Sequence, residues 1–189
     1  DVVLDRMVRY YESENANPLR GVYDLSVKAT TVYEDARERT ARFIGASSPS
    51  EIVFTRNATE SLNLIARSYG EAFIKEGEDI VLTVMEHHSN LLPWQETARR
   101  TGANLVFLTP DETGFISDEE IAAKITPKTA LVSLAHISNV LGRKNPVEKV
   151  IKAAHEVGAV VVVDGAQAVP HTRVNVRELD ADFYVFSGH

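Results

Sequence analysis

The chain has 189 residues, of which 20 are basic and 27 acidic, giving a net charge of −7, and it contains no cysteine. That length allows one substantial core, and an acidic balance without a basic stripe argues against binding to a phosphate backbone, so no nucleic-acid partner is expected. No apolar run approaches a membrane span, which makes a cytoplasmic protein without a membrane partner the expectation, and the absence of thiols excludes disulfides and thiolate metal sites within these residues.

Taken in chain order, Asp1 to Tyr11 reads as a helix with Leu4, Met7, Val8 and Tyr11 on one face. Asn15 to Tyr23 is the main irregular stretch, and its Asn-Pro and Arg-Gly steps argue for an ordered loop. Ser26 precedes a helical stretch to about Ile44 that Gly45 closes. A strand is expected at Ile52 to Thr55, followed by a helix that starts near Thr59 and runs toward Phe73. Further strands are expected at Ile80 to Val84, Leu105 to Leu108, Leu131 to Ala135, Val160 to Asp164 and Phe183 to Phe186. Ser117 opens a helix with Glu120 completing a capping box, and that helix ends before Pro127. Pro146 stands ahead of a helix from Val147 to Glu156, which Gly158 terminates. Strands alternating with amphipathic helices predict an α/β domain of three layers around a mostly parallel sheet.

The valines from Val160 to Val163 show no alternation, the pattern of a strand buried on both faces. Asp164 then sits at the C-terminal end of that strand, where open α/β sheets bind ligands. A buried carboxylate there needs a cationic or hydrogen-bonding partner. A protonated pyridine nitrogen is one such partner, a magnesium ion is another, and the structural alternative is an Asp that caps the next helix or turn. The magnesium reading lacks its companion, because the chain has no G-x-x-x-x-G-K-[ST] loop, nor any G-x-G-x-x-G. Thr59, at a helix start, is suited to a phosphate or to ordinary capping. His87 would project over the same sheet edge, with an imidazole able to stack on a ring and move protons near neutral pH. The adjacent His88 invites a metal reading, but neighbouring residues point apart and no third His or Cys is suitably spaced, so no metal is expected and His88 is read as a supporting or surface residue. Asn139, in a loop closed by Gly142, is either a ligand donor or a turn asparagine.

Several motifs occur in one order: Phe54-Thr55-Arg56-Asn57-Ala58-Thr59-Glu60, Glu86-His87-His88-Ser89-Asn90, His136-Ile137-Ser138-Asn139-Val140-Leu141-Gly142, Asp164-Gly165-Ala166-Gln167-Ala168 and Ser187-Gly188-His189. From about Asn15 to His189 this series resembles the fold-type I, class V aminotransferase superfamily, and within it the group II (SufS-type) cysteine desulfurases. The resemblance implies the cofactor pyridoxal 5'-phosphate. It assigns Ala58, Thr59, Ser187 and His189 to the phosphate cup, His87 to ring stacking and acid/base catalysis, Asp164 to the pyridine nitrogen, and Asn139 to the phenolic oxygen or the substrate carboxylate; Gln167, three residues beyond Asp164, could reach the phenolic oxygen from the same turn. Ala58 stands where the family usually has a hydroxyl or small residue, which leaves only a backbone donor there, and Tyr23 stands where a histidine is usual.

The resemblance further implies an enzyme that converts L-cysteine to L-alanine and an enzyme-bound persulfide, working as a homodimer with a sulfur-acceptor protein in iron–sulfur cluster assembly. Its Schiff-base lysine would follow His189 directly, and its persulfide-carrying cysteine would lie further on. Residues 1–14 would then form an N-terminal helical segment and 15–189 a partial large domain incomplete at both ends, with a small C-terminal domain outside the chain and no desulfurase activity in this segment alone. Other class V chemistry, transamination or selenocysteine lysis, and a non-catalytic cofactor-binding fragment stand as alternatives.

Overall fold

The computed structural model describes residues 1–188, so the expected site residue His189 lies outside the described residues. The chain falls into two compact units, Asp1–Val53 and the remainder from Phe54.

In the first unit, helix α1 (Val2–Ser13) begins at Asp1, whose carboxylate accepts from Val3 N at 2.9 Å. The expected apolar face is present, yet Leu4, Met7, Val8 and Tyr11 remain more than half exposed. Glu14 ends the helix as a buried carboxylate held by Arg6 at 2.7 Å and Arg9 at 3.1 Å. Helix α2 (Asp24–Ile44) closes at Gly45 in the left-handed conformation, φ 72°. Its start corrects the reading of Ser26: the helix begins at Asp24 without a side-chain cap. Ser26 is buried, and its hydroxyl donates to Asn17 O at 2.7 Å, tying down the irregular loop instead of serving the helix N–H groups.

The expected strand at Ile52 to Thr55 does not form. A 3-10 turn at Pro49–Glu51 leads into a segment that joins no described β ladder. The apolar run Ile52-Val53-Phe54 favours extended backbone, but a strand also needs a neighbour for its N–H and C=O groups, and no described strand runs beside this one. Val53 and Phe54 are instead exposed, and the Thr55 hydroxyl bonds Asn57 O (3.0 Å) and Ser61 Oγ (2.7 Å) at the approach to the next helix.

The second unit contains α3 (Ala58–Ile65), which passes through a π-helical turn at Ala66–Gly70 into the short α4 (Glu71–Phe73). There follow β1 (Asp79–Thr83), α5 (Leu92–Thr101), β2 (Asn104–Leu108), α6 (Asp118–Lys124), β3 (Thr129–Ala135), α7 (Val147–Glu156), β4 (Val160–Asp164), α8 (Val176–Leu179) and β5 (Phe183–Val185). β1 and β5 each stop one residue short of the expected end. At α6 the Ser117 hydroxyl accepts from Glu120 N at 3.1 Å, but the Glu120 carboxylate reaches Thr109 N (2.9 Å), so only half of the expected capping box is made.

The strands form one parallel sheet in the order β2-β1-β3-β4-β5. Period-two geometry sends Val161 and Val163 to one face, against Val147, Val150, Ile151 and Ala154 of α7. Val162 turns to the other face, with Ala58, Leu62 and Ile65 of α3 and Trp94 of α5. The unbroken valine run is thus a strand covered on both sides, and each of these fully buried valines stabilises the unit by roughly 1.5–3 kcal/mol. The result is the expected three-layer α/β architecture. β1 lies between β2 and β3, so the connections leaving β1 and β3 diverge at the C-terminal edge of the sheet and open a crevice there.

Candidate functional site

A cavity of about 230 Å³ opens at that edge, and its walls include Ala58, Thr59, His87, Asn139, Asp164, Gln167 and Ser187. Every expected site residue among those described is therefore brought to one cavity by four strand ends and one helix start. Ser89, Ala135, Ile137 and Ala166 complete the lining. A larger hollow of about 600 Å³ beside His136, Lys144, Glu148 and Arg173 contains none of them.

Asn57 caps α3, its side chain accepting from Glu60 N at 2.9 Å, so Thr59 is not the cap. The Thr59 N–H and hydroxyl have no partner among the described residues, whereas Ala58 N donates to Ser187 Oγ at 3.0 Å. That bond ties the end of β5 to the beginning of α3. Exposed donors at a helix N-terminus are arranged for an anion.

Asp164 is buried, 6% exposed, and its Oδ1 accepts from Ala166 N at 3.0 Å. Its Oδ2 has no hydrogen-bond partner among the described residues. Burial raises the Asp164 pKa, while the Ala166 N–H and the nearby His87 act in the opposite sense. A carboxylate in this state is completed by a cationic donor. The next residue, Gly165, is required by packing: a Cβ there would overlap the Tyr184 ring. Tyr184 Oη is hydrogen-bonded to His136 Nδ1 at 2.9 Å. Burial raises the Tyr184 pKa and lowers that of His136, which favours the neutral form of both.

His87 is exposed and opens the 3-10 turn His88–Asn90. Its Nδ1 accepts from Ser89 N at 3.2 Å and lies 2.8 Å from Ser89 Oγ. With Nδ1 accepting, the neutral ring carries its proton on Nε2. His88 is exposed and meets His87 edge to face at 6.2 Å between ring centroids. Among the described residues no group of three His, Cys, Asp or Glu could hold a metal ion. Asn139 is at the tip of a loop closed by Ser138 N to Arg143 O (2.9 Å) and by Gly142 at φ 63°, so it is a turn residue that also lines the cavity.

Sequence reasoning gave no role to Glu86, His136 or Tyr184. Glu86 accepts from Thr83 Oγ1, Ala135 N and Asn90 Nδ2, and burial pushes its pKa up to about 7 despite these donors. Glu86 and His136 stood inside the recognised motifs as polar residues close behind apolar strands, which was the available signal. Tyr184 read only as a strand aromatic.

The family model for aminotransferase class-V matches residues 1–189. A probable cysteine desulfurase of Halalkalibacterium halodurans is 49% identical over 187 residues, which is 99% of this chain and 46% of that protein. The apo structure of a cysteine desulfurase from Thermococcus onnurineus NA1 superposes with a TM-score of 0.93 at 46% identity, covering 99% of this chain and 46% of the other. SspA in complex with cysteine gives a TM-score of 0.90 at 30% identity, covering 100% and 54%. The chain thus spans about half the length of the relatives it matches. With a model match along its whole length and this cavity at its sheet edge, the chain belongs to the class V aminotransferase family, whose members depend on pyridoxal phosphate.

Proposed function

We propose that the full-length protein containing this chain is a pyridoxal-phosphate-dependent cysteine desulfurase of group II, which takes L-cysteine, releases L-alanine and retains the sulfur as a persulfide. The observation that carries the reading is the cavity in which a buried Asp164, with one oxygen unpartnered among the described residues, faces the unused donors of Thr59. The residues fit the cofactor at both ends. A pyridinium N–H would complete Asp164 and keep it ionised, and a phosphate would take the Thr59 donors at the start of α3. The bound cofactor supplies an electron sink for charge developing at the substrate α-carbon.

We assign Thr59 and Ser187 to the phosphate cup, together with Ala58, whose backbone N–H would first have to leave Ser187 Oγ, and with His189, which lies outside the described residues. His87 would stack on the ring of a bound cofactor and, with Nδ1 engaged by Ser89, would move protons through Nε2. Asn139 would hold the phenolic oxygen or the substrate carboxylate, and Gln167 the phenolic oxygen. No lysine lines the cavity among the described residues and the sequence has no cysteine, so both covalent partners of the reaction belong to the rest of the protein. We assign residues 1–14 to an N-terminal helical segment and 15–189 to the cofactor-binding domain, with a small C-terminal domain beyond it. The assembly we propose is a cytoplasmic homodimer that delivers sulfur to an acceptor protein for iron–sulfur clusters. Support for the substrate comes from the cysteine desulfurase relatives and from the cysteine complex of SspA.

The test is to load the full-length protein with pyridoxal phosphate, supply L-cysteine with a dithiol reductant that releases the persulfide sulfur as sulfide, and quantify alanine and sulfide. A visible cofactor band with equimolar alanine and sulfur is expected. Absence of the band refutes the cofactor site, whereas a band with keto-acid formation, or with turnover of selenocysteine alone, refutes the desulfurase assignment.

A further inference from the structure

His87 is exposed, so packing cannot fix its ring; only the turn that carries it can. That turn is closed by side chains. Glu86 Oε2 accepts from Asn90 Nδ2 at 2.7 Å, and Asn90 N donates to His87 O at 2.8 Å, so a ring of hydrogen bonds encloses His87. The direction of each bond is set from outside. Asn90 Oδ1 accepts from Trp94 Nε1 (3.0 Å) and Ser133 Oγ (2.7 Å), which leaves its amide NH2 to face Glu86. Thr83 Oγ1 accepts from Met85 N at 3.1 Å and so directs its own proton to Glu86 Oε1. Ala135 N, at the end of β3, donates to the same oxygen at 3.0 Å. Asn90, Trp94 and Ser133 are fully buried, so the frame around Glu86 is rigid. Donors reach both carboxylate oxygens, and no acceptor is seen facing them among the described residues.

We propose that Glu86 is the positioning residue for His87: through its carboxylate it fastens the His87 turn to the ends of β1 and β3 and presents the imidazole to the cavity. The ionised carboxylate, the form present above about pH 7, only accepts, so both readouts below are taken above that pH. A glutamine amide would set its NH2 against either Asn90 or the Thr83 and Ala135 donors, whichever way it turned, and would leave one unpaired.

The inference rests on the pyridoxal-phosphate reading of the cavity, and two readouts on the full-length protein keep the two apart. The first is the dissociation constant of pyridoxal phosphate, titrated into apoprotein by visible absorbance. His87→Ala is expected to weaken binding at least tenfold and Glu86→Gln about tenfold, while the double variant stays within twofold of His87→Ala, because Glu86 acts through His87. A Glu86→Gln value within twofold of wild type, or factors that multiply in the double variant, overturns the proposal. The second is NMR of labelled histidine in the apoprotein. The His87 ring signals are expected to shift or broaden in Glu86→Gln with far-ultraviolet circular dichroism unchanged; His87 signals identical to wild type overturn the proposal. A wild-type protein that takes no pyridoxal phosphate refutes the cofactor reading alone, and the apoprotein spectra still decide for Glu86. Should Glu86→Gln not fold, Thr83→Val removes one donor. It is expected to weaken pyridoxal phosphate about threefold and to move the His87 signals less, and wild-type values in both overturn the proposal.

Discussion

Gly165→Ala should destabilise the protein for one identifiable reason. Gly165 is not at a positive φ, so alanine meets no backbone penalty there; the obstacle is the Tyr184 ring, which occupies the space of a Cβ. Tyr184 cannot simply move aside. It is a residue of β5 whose neighbour Val185 accepts from Gly165 N at 2.7 Å, and its hydroxyl is bonded to His136 at 2.9 Å. Overpacking of this kind costs about 1–3 kcal/mol, and breaking the Tyr184–His136 hydrogen bond adds about 1 kcal/mol. A loss of about 2–4 kcal/mol is expected from urea denaturation of the full-length apoprotein. Tyr184→Ala removes the ring, so Gly165→Ala in that background should cost less than 1 kcal/mol, a large coupling in a double-mutant cycle. An unchanged urea midpoint in Gly165→Ala, or an equal penalty with and without the ring, would refute this account of the Asp164-Gly165 turn.

Ser187→Ala leaves the Ala58 N–H without its acceptor and should lower stability by about 1 kcal/mol, read as a shifted urea midpoint; an unshifted midpoint refutes the tie between β5 and α3. Val162→Ala, in the fully buried centre of β4, should cost about 2 kcal/mol, against less than 0.5 kcal/mol for the exposed Val53→Ala, and similar values for the two would contradict the sheet assignment. For pH dependence, the folded-state pKa of Glu86 is raised from 4.5 to about 7, so between about pH 4.5 and 7 the native state holds a proton that the unfolded chain has released. Its contribution to stability is therefore fully retained below about 4.5 and lost as pH rises to about 7, by up to about 3 kcal/mol. Compared at pH 5 and pH 7.5, Glu86→Gln should gain on wild type as pH increases; a constant difference refutes the raised pKa.

Local sequence was informative wherever the environment constrains every residue of an element. β3 and β4 were legible because strands covered on both faces are apolar along most of their length, Ser133 being the exception within the expected β3, and α7 because its buried stripe follows the helical period. Ile52 to Thr55 misled because a strand is defined by its neighbour, and a short apolar run within one segment carries no information about that neighbour. Ser26 misled for a related reason: its hydroxyl could cap a helix or bond a loop carbonyl, and the tertiary partner Asn17 prevailed. Most of the cavity wall was legible because a parallel sheet sends all its C-terminal strand ends to one edge, so polar residues just beyond apolar runs are gathered there whatever the loops do.

The contacts that fix the cavity's geometry were not legible, because they depend on the register between strands distant in sequence. Ala135 N donates to Glu86 across 49 positions, and Ala135 is paired in register with Asp164 on β4. One small residue at the end of β3 therefore ties together two carboxylates, one fastened to the His87 turn and the other at the cavity wall. A slip of β3 by one residue would reverse the faces of its side chains and move the Ala135 N–H away from Glu86, so both acids would lose their alignment at once. The buried apolar pattern of β3 resists that slip, since it would carry Val132 and Leu134 out of the cluster they share with α7. The same residues that hold the core together thus set the spacing of the two acids at the cavity, and core substitutions in β3 will perturb the site without touching it.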